Sequence, residues 1–192
     1  GHADVVVLLL DHSERIELNA RLNVGRTAFM LACQKGHKDV VNLLLDHYQR
    51  IDLNSRNRHG LTALMIACHY GHKDIVQLLL DHSERIELNA RNNFGRTAFT
   101  IACLYGHKDV VKLLLEHPNK IELNARDNDN GDTALMLACL FGHKDIVKLL
   151  LNHLEIIDLN ARNNRGETAL TFAYGQKDIF QLFLDHPNIQ KQ

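Results

Sequence analysis

One unit recurs along the whole sequence, and this periodicity limits the possible folds more than any other feature. Closely similar rows begin at glycines separated by steps of 35, 35, 35 and 36 residues, namely Gly1, Gly36, Gly71, Gly106 and Gly142. A fixed period between about 20 and 50 residues is typical of proteins in which similar supersecondary units stack. The 192 residues are therefore interpreted as a stack of repeats and not as one or two globular domains.

Each unit is predicted to contain two short helices. Thr62 is placed to cap a helix that runs to Cys68, and Gly71 ends this helix. Residues 72–82 carry apolar side chains at helical spacing, with an aspartate in the first turn. Residues 83–96 alternate apolar and polar side chains before a glycine, which predicts a short extended segment leading into a turn. Helices this short gain stability mainly by packing, so we expect the units to stack.

Two sequence motifs recur along essentially the whole chain and resemble the ankyrin repeat, namely T-A-L-M-x-A-C-x-x-G-H-K-D-[IV]-V-x-L-L-L and L-N-A-R-x-N-x-x-G. The resemblance implies an all-α fold, a curved ankyrin-repeat solenoid of stacked helix–turn–helix–loop units with short hairpin-like fingers. It also implies that fingers and first helices line a concave surface for a protein partner. The chain departs from the family because the proline and histidine of its Thr-Pro-Leu-His word are absent. The usual period of about 33 residues is also lengthened by two after the second helix.

A single array over residues 1–192 is predicted. Its units are a half repeat (second helix and finger) at 1–26, followed by 27–61, 62–96, 97–132, 133–167 and 168–192. The half repeat and the missing initial methionine predict a piece of a longer array. The last unit lacks two residues before its glycine and is predicted to end the array.

Charge and hydropathy argue against several classes of function. Lys+Arg 22 against Asp+Glu 23 leaves a net charge of -1, which offers no electrostatic basis for binding nucleic acid. The apolar run from Val5 to Leu10 is far shorter than the roughly 18 residues that a membrane span needs, so no membrane insertion is predicted. Because no set of acid, base and nucleophile stands out, we expect neither catalysis nor a cofactor.

One cysteine occurs at the same place in each of four units: Cys33, Cys68, Cys103 and Cys139. Stacked helices lie about 8–10 Å apart, whereas a disulfide needs Cα atoms within roughly 7 Å, so these residues are predicted to be core thiols. A single cysteine per layer also excludes a zinc site. Unpaired thiols and the absence of Asn-x-Ser/Thr sequons predict an intracellular protein, in the cytoplasm, with the nucleus left open.

The thirteen histidines fall mainly into two periodic sets. One set follows the glycine of each unit and the other ends the second helix: His2, His37, His72, His107 and His143, and His12, His47, His82, His117, His153 and His186. The first set is predicted to fix the turn and the second to stabilise the helix C-terminus. Each set places one histidine in each layer of the stack, and histidines of different layers are too far apart to bind one metal ion, so no metal site is expected. Acid is expected to charge the buried members of the first set and to loosen the stack.

Two local patterns are weighed as chemical sites and rejected. Asp-His-Ser at residues 11–13 and 81–83 holds the residue types of a hydrolase triad, but neighbours at a helix end point in different directions. Residues 127–132 resemble a calcium loop, yet Gly131 falls one place early and Ala138 stands where the bidentate glutamate belongs. They are interpreted as a finger with one inserted residue.

Differences between the units collect at the finger tips, before the capping threonines and at the ends of the first helices. The ankyrin resemblance assigns these places to partner contact, and aromatic residues and arginine are common interface anchors. The predicted contact residues are Arg26, His59, His69, Tyr70, Phe94, Arg96, Leu104, Tyr105, Asp132, Leu140, Phe141 and Arg165. The charge before the threonine changes from basic to acidic along the chain. The alternative interpretation is drift at unconstrained positions, with the aromatic side chains partly buried between layers.

Five asparagines follow a leucine at the same place in their units: Asn19, Asn54, Asn89, Asn124 and Asn160. They resemble the ankyrin asparagines that a cellular hydroxylase modifies. The interpretation that we favour is an amide that bridges the turn.

Two classes of function remain open. The first is a non-catalytic protein–protein interaction scaffold, or a regulatory ankyrin segment of a larger protein. The second is a self-associating structural array, because the unpaired stacking face of the half repeat can bind its own kind. The uniform units also fit a designed consensus protein, although the irregular last unit and the inserted residue argue against that origin.

Overall fold

The computed structural model describes residues 2–12 and 16–186 of the chain. Within these residues the regular structure is helical and contains no strand. The helices are α1 Ala3–Asp11, α2 Ala28–Lys35, α3 Lys38–Asp46, α4 Ala63–Tyr70, α5 Lys73–Asp81, α6 Ala98–Leu104, α7 Lys108–Leu115, α8 Ala134–Leu140, α9 Lys144–Leu151, α10 Ala169–Ala173 and α11 Lys177–Asp185. After α1 the helices form pairs, in which the even-numbered helix is the first helix and the next odd-numbered helix is the second.

The first helices begin where the capping threonines are placed, as predicted. Thr62 has an extended backbone, and its Oγ1 accepts the N–H of Met65 at 3.4 Å. This bond satisfies one of the N–H groups that a helix start leaves unpaired. The same bond follows Thr27, Thr97 and Thr133. α4 then ends at Gly71, whose φ of 72° is left-handed and costs little in a residue without a Cβ.

Each second helix buries one apolar stripe. In α5 the buried side chains are Ile75, Val76, Leu79 and Leu80, which pack toward α4, α3 and α7. Asp74 lies in the first turn, where the positive end of the helix dipole favours a carboxylate. Corresponding side chains are buried in α3, α7 and α9, so one pattern of residues recurs in the second helices.

The helices stack in two layers. First helices contact one another in the order α2, α4, α6, α8, α10, and second helices in the order α1, α3, α5, α7, α9, α11. Each first helix also packs against the second helix of its own pair. A continuous cluster of buried apolar side chains runs from Leu10 to Phe183. The predicted all-α solenoid of stacked units is confirmed, while the unit boundaries stay a prediction from the sequence period.

The loops between the pairs are successions of turns, so the extended part of the segment predicted for residues 83–96 is wrong, whereas the turn predicted to follow it is present at 93–95. Backbone groups in this loop form hydrogen bonds with residues that are near in sequence: the N–H of Asn92 donates to the carbonyl of Arg96 at 3.0 Å. Neighbouring fingers are linked by a backbone bond at their tips, as from the N–H of Asn93 to the carbonyl of His59 at 3.1 Å. An isolated bond of this kind does not make a strand ladder, and the finger remains a hairpin-like turn.

α1 is the most exposed of the second helices. Its buried residue is Leu10, while Val5 is 49% exposed, Leu8 61% and Leu9 48%. α1 packs against α3 along the face that includes Leu10. An apolar face of α1 therefore lies open to solvent in the described part of the chain.

Candidate partner-binding surface

Side-chain contacts connect the finger tips to the C-terminal ends of the first helices. Arg26, just after a finger tip, donates to Oε1 of Gln34 in α2 at 2.9 Å. The guanidinium carbon of Arg96 lies 5.5 Å from the ring centroid of Phe94, and Arg96 also lines a groove with Tyr105. We call these residues the finger surface: Val24, Arg26, Gln34, Lys35, Arg58, His59, Leu61, His69, Tyr70, Phe94, Arg96, Leu104, Tyr105, Asn130, Asp132, Leu140, Phe141, Arg165, Glu167 and Tyr174.

Aromatic side chains recur at one register of the finger surface. Tyr70 is 46% exposed, Tyr105 47% and Phe141 56%. Each is the last residue of a first helix or the residue that directly follows it. Because about half of each residue faces solvent, these rings are not core residues between layers. Apolar side chains exposed together in this way mark interaction sites on folded proteins.

His69 adds a further ring between two of these aromatic side chains. Its centroid lies 4.7 Å from that of Tyr70 and 4.1 Å from that of Tyr105. Partial burial, and then the neighbouring His107, lower the pKa of His69 below its ordinary value. The neutral imidazole is therefore favoured, which keeps this part of the surface uncharged near neutral pH.

A groove of about 390 Å³ lies at the ends of α6 and α8. Its lining residues are Arg96, Leu104, Tyr105, Phe141 and His143. Leu104, predicted as a contact residue, is only 9% exposed and forms part of the groove wall. Pockets of roughly 300–1,000 Å³ accept small organic groups, and this groove has room for an apolar side chain of a partner.

The charged residues that precede the capping threonines are mostly bonded to other residues of the stack. Arg96 forms ion pairs with Asp127 at 3.1 Å and with Asp129 at 3.3 Å. Asp132 is 2% exposed, and its Oδ1 accepts from Nδ2 of Asn163 at 2.8 Å. Asp132 is therefore not available to a partner. The series from basic to acidic that the sequence suggested is therefore interrupted at Asp132, while Glu167, the last residue of the series, is half-buried.

The other predicted contact residues are accessible or half-buried. His59 and Arg165 are exposed at finger tips, Phe94 is 46% exposed, and Leu140 is 44% exposed at the end of α8. Arg26 is half-buried, and its partner Gln34 in turn donates to the hydroxyl of Tyr70 at 2.9 Å. This chain of bonds joins the first two helix pairs across the finger surface.

Comparison with protein families gives a match along the length of the chain. A family model described as ankyrin repeats (3 copies) matches residues 1–57, 49–127 and 119–192. The chain belongs to the ankyrin repeat family. Ankyrin repeats are in general protein–protein interaction modules and typically lack catalytic activity.

A search of curated proteins found no match. No helix within residues 2–12 and 16–186 is long and apolar enough to cross a membrane.

Tyr174 is an exposed residue of this ankyrin surface that the sequence did not predict. Alignment from the capping threonine puts Tyr174 level with the buried Cys139, but α10 ends at Ala173 and leaves Tyr174 78% exposed. The last unit lacks two residues, and its first helix α10 is therefore shorter than the other first helices. Counting back from the following glycine would have found Tyr174, because it precedes Gly175 as Phe141 precedes Gly142.

Three members of the first histidine set, His72, His107 and His143, bond to the preceding ankyrin unit, whereas the sequence suggested that they fix their own turn. Nε2 of His72 donates to the carbonyl of Gln34 at 2.9 Å, and Nε2 of His107 donates to the carbonyl of His69 at 2.8 Å. His143 bonds the preceding unit in the same way. Carbonyls at a helix C-terminus lack partners within the helix, so the next unit satisfies them. A protonated ring would still donate this bond.

The second histidine set bonds its own helix, as predicted for C-terminal groups. Nδ1 of His47 donates to the carbonyl of Leu43 at 2.9 Å, four residues earlier. The same bond is made by His12, His82 and His153. These residues satisfy carbonyls at the C-terminal end of the second helices.

The recurrent asparagines also bridge units. Oδ1 of Asn54 accepts the N–H of Glu87, and its Nδ2 donates to the carbonyl of Arg85, both at 2.9 Å. The same pair of bonds is made by Asn19, Asn89 and Asn124. The amide thus spans to the loop of the following unit, whereas the sequence suggested a bridge within one turn.

The thiols of this ankyrin stack are poor nucleophiles. All four cysteines are free and buried. Burial raises the pKa of the thiols of Cys33, Cys68 and Cys103, with the neighbouring Cys68 a second cause at Cys103, and raises the pKa of Cys139 to about 12. The thiolate is the reactive form, so these side chains act as small core residues.

The patterns weighed as chemical sites are engaged in structural contacts. Nδ1 of His82 donates to the carbonyl of Leu78 at 2.9 Å, and Oγ of Ser83 accepts from Nζ of Lys120 at 2.9 Å, so this Asp-His-Ser word forms no triad. Ser13 of the other copy lies outside the described residues. Asp127 is held by Arg96 and by backbone N–H groups of its own finger. Among residues 2–12 and 16–186, no cluster of three or more histidine, cysteine or acidic side chains could hold a metal.

Proposed function

We propose that this ankyrin protein is a non-catalytic scaffold that binds a protein partner through the finger surface. The observation that supports the proposal is the row of half-exposed rings at Tyr70, Tyr105 and Phe141, one in each of three successive helix pairs. Apolar ring surface in water favours association with another apolar surface, and aromatic residues dominate the binding energy of many interfaces.

The fixed positions of these side chains also favour binding. Arg96 is held by Asp127, Tyr70 by Gln34, and the ring of His69 by its two aromatic neighbours. Side chains that are already ordered lose little conformational freedom when a partner arrives. The candidate contacts are therefore Arg26, His59, His69, Tyr70, Phe94, Arg96, Leu104, Tyr105, Leu140, Phe141 and Arg165, together with Tyr174.

A triple variant with Tyr70→Ala, Phe94→Ala and Tyr105→Ala tests the scaffold proposal. We expect affinity for a partner isolated with the chain from its native cells to fall at least tenfold, because interface aromatics often contribute 2 kcal/mol or more. The melting temperature should change little, because each of the three residues is about half exposed. Lys112→Ala, at an exposed position of the second helix α7 and outside this surface, serves as the control. An unchanged affinity, or a collapse of stability, would contradict the proposal.

Self-association through α1 is the second candidate, and the exposed Val5, Leu8 and Leu9 favour it. Light scattering should then show a mass that rises with concentration, and Leu8→Glu should abolish the rise by placing a charge on the apolar face. A mass that stays monomeric at all concentrations would remove this candidate. Either behaviour would also suit a regulatory segment of a larger protein.

We place the chain in the cytoplasm as a further proposal. Its support is the set of four free thiols, because disulfides are rare where glutathione keeps thiols reduced. Fractionation of native cells tests it, and recovery of the chain from the secreted fraction would contradict it.

Hydroxylation of Asn19, Asn54, Asn89, Asn124 and Asn160 stays a separate proposal. Four of these amides bridge to the next unit, so a hydroxylase would need to open those bonds locally. Intact mass of the protein from its native cells should show steps of one oxygen atom. A single unmodified mass would contradict the idea.

A further inference from the structure

Positive charge without a counter-ion is concentrated at one end of the finger surface. Lys35 and Arg58 are exposed, and no ion pair joins either of them to another described residue. Arg26 adds a third cation there, bonded to the neutral Gln34. The sequence contains no aspartate or glutamate in residues 18–38 or 53–73, which form the fingers and first helices of the first two helix pairs.

The fingers of these pairs lie next to each other. The N–H of Arg58 donates to the carbonyl of Val24 at 3.2 Å, and Arg26 follows Val24 by two residues. Lys35 is the last residue of α2 and directly follows Gln34. The three cations therefore belong to one contiguous part of the surface, the basic end, defined as Arg26, Lys35 and Arg58.

The groove farther along differs in charge from the basic end. Its arginine, Arg96, is already neutralised by Asp127 and Asp129. Leu104, Tyr105 and Phe141 supply the apolar part of its lining. A partner carboxylate gains more at the basic end, where the charge is unpaired, while an apolar side chain gains more in the groove.

We propose that the finger surface binds an extended, acidic segment of a protein, with its carboxylates at Arg26, Lys35 and Arg58 and an apolar side chain in the groove. The inference rests on the scaffold function proposed above and adds the chemistry of the partner. Layers of stacked helices lie about 8–10 Å apart. Lys35 lies in the first helix pair and the groove lies between the third and fourth pairs, so the two are about two and a half layers, or roughly 20–25 Å, apart. An extended chain at about 3.3 Å per residue covers this distance in about six to eight residues.

Selection from a displayed library of random peptides tests the inference without a known partner. Peptides enriched on the 192-residue chain should carry acidic residues and, about six to eight positions away, an apolar residue. Their affinity should fall about tenfold in a Lys35→Glu and Arg58→Glu variant, and again in a Tyr105→Ala and Phe141→Ala variant. Higher salt should weaken binding to the wild type and change binding to the charge variant much less.

Lys112→Glu is the matched control, because Lys112 is an exposed lysine on the second helix α7. It should leave affinity unchanged, and circular dichroism should show that every variant is folded. Enrichment of basic or neutral peptides that still require Tyr105 and Phe141 would overturn the inference and leave the scaffold function standing. A loss in Lys112→Glu equal to that in the charge variant would also overturn it. Binding that survives every variant, or no enrichment at all, would count against both proposals.

Discussion

The histidine after the glycine of a unit shows how one side chain can form a hydrogen bond between two neighbouring units. His72, His107 and His143 each donate from Nε2 to a carbonyl at the end of the preceding first helix. In the last unit Gln176 replaces the histidine, and its Nε2 donates to the carbonyls of Cys139 and Leu140 at 2.6 and 3.1 Å. Two different side chains thus meet one requirement, a donor for carbonyls that the helix leaves unpaired.

His107→Ala should destabilise the protein by about 1–3 kcal/mol, because it leaves the carbonyl of His69 without its donor. His107→Gln should recover much of that loss, since glutamine makes this contact at position 176. Chemical denaturation of both variants measures the two changes in the free energy of unfolding. Equal losses in the two variants would show that the hydrogen bond is not what the histidine contributes.

His69 makes stability depend on pH. Burial, and then His107, hold its pKa below the ordinary value of 6.5. At pH 7.5 the residue is neutral in both folded and unfolded chains, but as the pH falls below 6.5 the unfolded chain binds the proton first. The free energy of unfolding should therefore decrease from about pH 6.5 downward until the lowered pKa is passed.

Thermal melts of the wild type and of His69→Gln at pH 7.5 and pH 5.5 check this pH dependence. The drop in melting temperature between the two pH values should be smaller in the variant, which lacks the titrating ring. An identical drop in both proteins would assign the acid sensitivity to other histidines, including the first set that the sequence suggested.

At the scale of elements, the second helix depends on its partners more than on its own propensity. α5 has nine residues, too few for a stable isolated helix, and its N-cap His72 makes no side-chain capping bond. Its stripe of Ile75, Val76, Leu79 and Leu80 is buried against three other helices. Packing of this stripe therefore holds the helix in place.

Leu79→Ala in this stripe should cost about 2–5 kcal/mol, because Leu79 is 0% exposed and its helix α5 packs against α3, α4 and α7. Chemical denaturation gives the value, and Lys112→Ala on the exposed side of α7 is the control, expected to change little. A loss below 1 kcal/mol would mean that neighbouring helices close the cavity by moving together.

The fingers are the elements for which local sequence was least informative. Alternation of apolar and polar residues in 83–96 predicted an extended segment, yet the apolar side chains are buried by successive turns. The difference lies before Asn92, in the turns at residues 82–85 and 88–89, where the N–H of Arg85 donates to the carbonyl of His82 at 3.0 Å and that of Ala90 to the carbonyl of Glu87 at 3.2 Å. Asn92 closes the turn that was predicted to follow, because its Oδ1 accepts the N–H groups of Phe94 and Arg96 at 3.0 Å each. Local turns of this kind replace pairing between strands, and a periodicity argument does not detect them.

At the scale of the whole molecule, the main contacts of each helix within residues 2–12 and 16–186 are with its own pair and with the neighbouring pairs along the chain. Stability in such a protein is approximately a sum over units and the interfaces between them. Every residue of α6 is buried, whereas α1 buries Leu10 and α10 buries Ala169 and Ala173. The middle of the array is therefore better packed than either end.

Hydrogen exchange of the 192-residue chain should follow this order. Amides of α6 and α8 should exchange most slowly, and those of α1 and α11 fastest, because an end helix opens without disturbing a unit beyond it. Mass spectrometry of peptides after exchange measures the gradient. Uniform protection from α1 to α11 would mean that the array unfolds as a single cooperative unit.

The sequence alone determined that the chain is a stack of two-helix units, because a repeated word carries the cap, the helix stop and the apolar stripe in every copy. It also indicated where the aromatic rings lie, since they precede a glycine that ends a helix. Only the tertiary structure decided which of these residues remain available. Asp132 is buried, Leu104 is accessible only as part of the groove wall, and Tyr174 is exposed, because burial depends on the neighbouring unit and on where each helix stops. The histidine and asparagine bridges were likewise decided there, since their partners lie more than 30 residues away and only stacking brings them together.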